Sequence, residues 1–337
     1  MLQEKQKCES WHWLDVGTMN DGSYRCAGAD SMLTAHAYPT SRSLMPERFR
    51  RQPGPDRDIS ACSLRASLRD RSHPCRMSQH IHSASRPWIL AETPWKMVRD
   101  TQYDVAVLPW GATEAHNYHL PYGTDTIECD ALAGDAARIA WERGARVIVL
   151  PTVPFGVNTG QLDIPLCLNM NPSTQAALLS DLVHALDGQG IRRLLIFNGH
   201  GGNDFRQMIR ELQPRTRVML CALDWYRCVD PAGYFEEPGD HAGELETSVM
   251  LHIAPGLVLP LAEAGDGHER RPRLQGFRER WAWTPRRWTQ VSADTGVGNP
   301  KAATAEKGRR YAEAVAEKIG SFLVELANVN PDDLYES

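Results

Sequence analysis

From Trp88 onward, short apolar runs alternate with helix-forming segments, and the runs end in glycine or a polar turn. No other feature limits the possible folds so tightly. DVAVLPWG (104–111), RVIVLPTVPFG (146–156), RRLLIFNGHGGN (192–203) and RVMLCALDW (217–225) are dense in Val, Leu and Ile over strand-like lengths, as buried strands are. ALAGDAARIAWERG (131–144) is alanine-rich with a glycine stop. NPSTQAALLSDLVHALDGQG (171–190) sets Ala177, Leu178, Leu182 and Leu186 on one helical face. DFRQMIREL (204–212), ELETSVMLHIA (244–254) and TAEKGRRYAEAVAEKIGSFLVELA (304–327) read as further helices. Strands joined through helices make a mostly parallel sheet covered on both sides, so the expected fold is a three-layer α/β/α sandwich. Such sheets gather their chemistry beyond the carboxyl ends of the strands. Three polar stretches fall there: WGATEAH after the first strand, NGHGGN after the third and DWYR after the fourth.

The first 87 residues lack this pattern. Residues 39–87 are rich in Arg, Ser and Pro with poor apolar periodicity, which fits a disordered or non-native extension, with Met77 an alternative start. The competing reading, a basic arm for nucleic acid, is opposed by the interleaving of Arg with Asp, Glu and Pro. The expected organisation is an extension over 1–87, one catalytic domain over 88–330 and a short tail over 331–337. An apolar content of 42% supports a real core, and a net charge of −5 gives no bulk attraction to nucleic acid or membrane surfaces. No run approaches a membrane span, and the N-terminus lacks the apolar stretch of a secretory signal. Eight cysteines form no C-x-x-C pair, so reduced thiols in a cytoplasm are expected, with Cys221 a small buried hydrophobe.

The chemistry concentrates in GATEAHNYHLPYGTD (111–125) and two later stretches. Glu114, His116, Asp125 and His200 are the ligand types used by hard or borderline divalent cations. Glu114 and His116, two apart, can project to one side of an extended segment. Asp125 is a carboxylate able to bridge two ions. His200 stands among glycines in NGHGGN, where backbone can approach closely. Taken alone, a histidine after a strand is more commonly a hydrogen-bonded structural group; two separate glycine-flanked polar loops shift the balance toward a metal site. In GDHAGELETS (239–248), Glu244 and Glu246 suit the first turn of a helix electrostatically, with Thr247 and Ser248 as caps. The functional reading makes one of the two a metal ligand and His241 a general acid/base.

These three stretches resemble the creatininase family of metal-dependent amidohydrolases. The family's motifs run approximately G-S-T-E-Q-H-G-x-H-L-P-x-G-T-D, N-G-H-x-x-N and H-A-G-x-x-E-T-S, against GATEAHNYHLPYGTD, NGHGGN and HAGELETS here. A weaker match, GVGNPKAATAEKG, precedes the last helix, and the resemblance covers about 88–327. It implies an α/β/α sandwich assembled as a homo-oligomer, often a hexamer, with two Zn, Mn or Fe ions per chain. One ion would take Glu114, Asp125 and His200; the other His116 and the bridging Asp125. The family's Glu two residues after the second-motif histidine is Gly202 here, so Glu246 is the expected substitute, with Glu244 the alternative. His241 matches the catalytic histidine. A metal-activated water would attack a carbonyl, and His241 would protonate the leaving group. His119, Asn198 and Asn203 would orient the ligands from behind. Trp225 and Tyr226 would wall the pocket, or equally pack in the core. Asn117 stands where the family has Gly. Together with FGVNTGQLDIPL, it points toward the branch containing 3-dehydro-scyllo-inosose hydrolase, with Asn158, Gln161 and Asn169 as amides for a polyol. The expected substrate is thus a small cyclic amide or oxidised polyol, with formamide deformylation or creatinine hydrolysis as alternatives. A metal-holding binding protein without turnover is the alternative of another class.

Overall fold

The computed structural model describes residues 85–336. Residues 1–84, and with them nearly all of the expected extension, lie outside the described residues. Four strands, β1 (Val105–Trp110), β2 (Val147–Val149), β3 (Arg193–Asn198) and β4 (Met219–Asp224), form one parallel sheet in the order β2–β1–β3–β4. The principal helices are α1 (Thr124–Glu142), α2 (Pro172–Gly188), α3 (Arg206–Leu212), α4 (Glu244–Ile253) and α5 (Ala305–Asn328). Successive side chains of a strand point to opposite faces, and the core divides accordingly. Val105, Val107, Leu195 and Phe197 pack against α1 and α5, including Ala133, Ala137, Tyr311 and Val315. Ala106, Leu108, Leu194 and Ile196 pack on the other side against Leu179 and Val183 of α2 and Met208 of α3. This is the expected α/β/α sandwich.

Three boundaries differ from the expectation, each for a physical reason. The strand expected over 146–156 keeps regular pairing only through Val149. Pro151 and Pro154 cannot donate to a ladder, and only isolated bridges at Val153 and Gly156 continue the line. The helix expected from 131 begins at Thr124, so Asp125 sits in its first turn, where a carboxylate suits the helix dipole. The core stripe of α2 is Gln175, Leu179, Val183 and Leu186, while Ala177 is exposed and Leu178 and Leu182 are half-buried. Adjacent leucines at 178 and 179 allowed either face, and packing chose the second. Cys221, on the edge strand β4, is half-buried rather than buried.

A two-stranded antiparallel ribbon, β5 (Gly239–His241) with β6 (Val297–Gly298), ties HAGELETS to GVGN. Thr304 caps α5, its Oγ1 accepting from Lys307 N at 3.2 Å. Among the described residues no single helix is long and apolar enough to cross a membrane.

Candidate metal centre

The order β2–β1–β3–β4 reverses direction at β1: its successor β2 lies on one side and β3 on the other. A crevice opens beyond the carboxyl ends of β1 and β3 at such a point. Trp110, the last residue of β1, pairs in register with Asn198, the last of β3. The loop after β1 delivers Glu114 and His116, α1 delivers Asp125 from its first turn, and the turn after β3 delivers His200. The β5–α4 junction adds His241 and Glu246. Here Ala242 takes a left-handed φ of 50°, rare for a residue with a Cβ, and its N–H donates to the Glu246 carboxylate.

Two sets of donors form around Asp125. Glu114, Asp125 and His200 place one ligand atom each within 4.8 Å of one another, as do His116, Asp125 and Glu246. His200 Nδ1 lies 2.9 Å from Glu114 Oε1 and 3.1 Å from Asp125 Oδ2, and His116 Nε2 lies 2.9 Å from Asp125 Oδ1. Each Asp125 oxygen therefore faces a different set, as a bridging carboxylate must. Asp125 Oδ2 is buried with no well-aligned hydrogen-bond donor.

Behind each histidine stands a backbone carbonyl: Glu114 O at 3.1 Å from His116 Nδ1, Val157 O at 3.1 Å from His200 Nε2, and Ala115 O at 2.9 Å from His241 Nε2. A carbonyl can only accept, so the outer nitrogen of each ring carries a proton, and the inner nitrogen is the one a cation would meet in place of a second proton. An imidazole–carboxylate donor set with fixed tautomers fits a divalent Zn, Mn or Fe ion.

The electrostatics point the same way. Burial opposes charge on His116, but Asp125 and Glu114 outweigh it and raise its pKa to about 10. The same contest raises His200 well above the ordinary histidine value, with Glu114 and Asp125 as the acids. Burial works against ionised Asp125, yet His116 and His200 hold it below the carboxylate range. Where the donors hold no cation, protons on the two imidazoles bind the cluster together.

Gly202 has no room for a side chain: a Cβ there would collide with Val157 O and His200 Nε2. Of the two α4 glutamates, Glu246 is the one that brings a carboxylate oxygen within 4.8 Å of the His116 and Asp125 donor atoms. Glu244 is buried but turned away, accepting from Glu236 N at 2.8 Å and Glu237 N at 2.7 Å and pairing with Lys307. Glu246→Gln should reduce bound metal from two ions per chain to about one. Glu244→Gln should leave two ions and lower the melting temperature by roughly 5 °C. Metal analysis beside thermal melts separates these outcomes, and loss of metal in Glu244→Gln would reverse the assignment.

Asn198 and Asn203 brace the NGHGGN turn: Asn198 Oδ1 accepts from His200 N at 3.2 Å and from Asn203 Nδ2 at 3.0 Å. His119 makes no contact with a ligand carboxylate; its Nε2 meets Thr247 Oγ1 at 2.8 Å, on the helix bearing Glu246. Burial and the nearby His116 charge lower its pKa to about 4, so it is neutral. Tyr226 lines the cleft, whereas Trp225 is buried in the core against Tyr311. Asn158 lines the cleft but donates its amide to Leu168 O at 3.0 Å, and Asn169 Oδ1 accepts from Asn158 N at 2.8 Å. Gln161 lies behind Glu114, donating to it and accepting from Cys167 Sγ at 3.0 Å.

Sequence reasoning missed Trp288 and Glu128. Trp288 packs on the His241 ring, centroids 4.6 Å apart. Glu128, one turn after Asp125, is fully buried with neither oxygen hydrogen-bonded. Burial, with Glu246 and Asp125 nearby, raises its pKa well above the carboxylate range. The helical spacing of Asp125 and Glu128 was visible, but nothing in it marked Glu128 as buried. Asn117 has φ 53°, a conformation Asn tolerates and Gly takes freely, so it satisfies the family's Gly position.

The creatininase family pattern, described as creatinine amidohydrolase, matches residues 91–323. A Bacteroides fragilis NCTC 9343 protein assigned as a creatinine amidohydrolase superposes with a TM-score of 0.70 at 47% identity. That match covers 74% of this chain and 99% of the other. Mycofactocin precursor peptide peptidase of Mycobacterium ulcerans (strain Agy99) is 29% identical over 63% of this chain and 82% of its own length. Creatinine amidohydrolase of Pseudomonas putida is 27% identical over 66% of this chain and 89% of its own. With the fold, the paired donor sets and the matched motifs in one place, the chain belongs to the creatininase family of metal-dependent hydrolases.

Proposed function

We propose that this chain hydrolyses an amide bond at a centre of two divalent cations, one held by Glu114, Asp125 and His200 and the other by His116, Asp125 and Glu246. The observation that carries this reading is the pair of donor sets sharing Asp125, with each imidazole backed by a carbonyl. When bound, the cations supply an activated water and polarise the scissile carbonyl. The chain's own groups do the rest. His241 also lies near Glu114 and His116, but both of those already belong to the proposed ion sites, so we read His241 as the proton carrier. Its Nε2–H is fixed on Ala115 O, which leaves Nδ1 facing inward, 3.8 Å from Glu114 Oε1. There Nδ1 can accept the proton that the attacking water loses and hand it on to the departing amine. The Trp288 ring against His241 shields it from solvent and fixes its plane. Gln161 holds Glu114 from behind.

The cleft above these residues is open and encloses about 1840 Å³. That exceeds the roughly 300–1,000 Å³ that usually encloses a small ligand, and the amides considered for a polyol are engaged within the protein. We therefore place an extended amide ahead of creatinine or a polyol; a peptide bond is one such amide, and the mycobacterial relative is named a peptide peptidase. A metal-holding scaffold without turnover would have no use for the inward Nδ1 of His241. The test is hydrolysis by manganese- or zinc-loaded protein of a panel of acyl dipeptides, creatinine, formamides and oxidised inositols. The expected result is turnover of dipeptide amides that stops with chelator; turnover of creatinine alone would overturn the substrate class.

A further inference from the structure

The segment 265–295, which sequence reasoning left unassigned, carries seven arginines against four carboxylates in a chain whose net charge is −5. All seven line the cleft above the metal centre. The segment is bolted to the domain at several points. Asn117 Oδ1 accepts from Gly265 N at 2.8 Å, Asn117 N donates to Thr295 Oγ1 at 3.0 Å, and Tyr118 OH donates to Ala293 O at 3.1 Å. The Asn117–Tyr118 pair thus clasps both ends of the segment. Asp294 closes the base by accepting from Gly267 N and Gly296 N, each at 2.9 Å. Farther out, Thr289 Oγ1 donates to Asp163 at 2.7 Å. The backbone of Arg286 lies so close over Gly160 that any Cβ there would strike it. The arginines are therefore held over the cleft by a built frame.

Two of the seven are already engaged. Arg286 forks onto Asp240 at 2.9 and 2.6 Å, and Arg278 donates to the carbonyls of Pro272 and Arg273. Among the described residues no carboxylate oxygen lies within 4.0 Å of Arg270, Arg271, Arg273, Arg280 or Arg287. The carboxylates that share the cleft are mostly committed. Glu114, Asp125 and Glu246 form the donor sets, Glu236 and Glu244 face Lys307, and Asp240 and Glu269 face Arg286; Glu237 has no cation partner. Five guanidinium groups without a carboxylate partner line this one cleft. Cations left without a counter-charge attract ligands of the opposite sign. Guanidinium matches the planar, two-oxygen faces of carboxylate and phosphate.

Resting on the amide-hydrolase reading above, we infer that this wall selects an anionic amide. The substrate carries at least one carboxylate or phosphate group on the part that extends away from the scissile carbonyl. Arg270, Arg271 and Arg273 are exposed side chains early in the segment, and Arg280 and Arg287 are exposed later in it. Replacing either group removes charge without opening the core.

The experiment measures binding of N-acetylglutamate, its uncharged diester and N-acetylphosphoserine to manganese-loaded protein by calorimetry. It compares the native chain, an Arg270→Gln/Arg271→Gln/Arg273→Gln variant and an Arg280→Gln/Arg287→Gln variant. Bound metal is counted in each. The native chain should bind at least one anion about 20-fold or more tighter than the diester, and salt should erode that preference. At least one variant should shrink it to within about threefold while keeping two ions. Tighter binding of the phosphoserine compound identifies phosphate as the selected group, and the reverse identifies carboxylate. Equal binding of acid and diester overturns the inference, as does a preference that survives in both variants, because the anion then sits on the cations alone. A preference without turnover of any amide leaves the inference standing and removes the hydrolytic reading; turnover without preference does the opposite.

Discussion

Asp125→Asn should empty both ion sites and lower kcat/KM by about 10³-fold or more, the largest effect of any single substitution in this chain. The reason is topological. Asp125 belongs to both donor sets, one oxygen facing His200 and the other His116, and among the described residues no other contributes to both proposed ions in this way. The amide of Asn keeps the shape but offers one neutral oxygen and a nitrogen that cannot ligate. Metal analysis should therefore fall from two ions per chain to well under one, where Glu246→Gln should retain about one. The substitution has a second, separate signature. Without cations, Asp125 is the buried counter-charge between two imidazoles, and removing one partner of such a cluster costs about 3–5 kcal/mol. Asp125→Asn should thus melt about 10 °C lower than the native chain when both are compared after chelation. Retention of two ions by the variant would sink the bridging assignment, whatever happened to activity.

The layers of the fold were legible because their signal is period and length. VAVLPW at 105–110 is buried at every position, as a strand between two helical layers must be. Legibility failed where two apolar residues adjoined, at Leu178 and Leu179, and where proline cut pairing short after Val149. Glu114, His116, Asp125 and His200 stood out because each follows a strand end or opens a helix beside it. The structure brings them together as a parallel sheet should. Glu246 over Glu244 could not be decided by spacing. The two lie on one helix turn, and only the partners distinguish them: Lys307 and two backbone N–H groups for one, His116 and Asp125 for the other. The arginine wall was illegible for another reason. In sequence, HERRPRLQGFRERWAWTPRR looks like a solvated surface segment. Its meaning depends on Asn117 and Tyr118, some 150 residues earlier, clasping its two ends over the cleft.

Metal binding should release about two protons per chain and strengthen steeply with pH. In the metal-free chain His116 holds its proton up to about pH 10, and His200 is raised in the same direction. The sign for stability follows. A histidine whose pKa is raised by folding contributes fully below its ordinary value of 6.5, and that contribution drains away as the pH climbs toward 10. Asp125, held low, acts oppositely: its contribution is in place above its ordinary value of 3.8 and is lost on acidification. The chelated protein should therefore be most stable between about pH 4 and 6.5 as far as these groups decide it, and weaken above neutrality. A cation reverses the trend above neutrality, because it needs His116 Nε2 and His200 Nδ1 as lone pairs. Each displaced proton makes the joint affinity for the two ions about tenfold greater per pH unit. Two protons give about a hundredfold between pH 7 and 8. Calorimetric titration with manganese in buffers of different protonation heat reads the proton count directly. Thermal melts with and without chelator should show a metal-dependent gap that widens from pH 6 to pH 9. A proton count near zero, or a gap that narrows over that range, would mean that the imidazoles facing Asp125 are not where the ions bind.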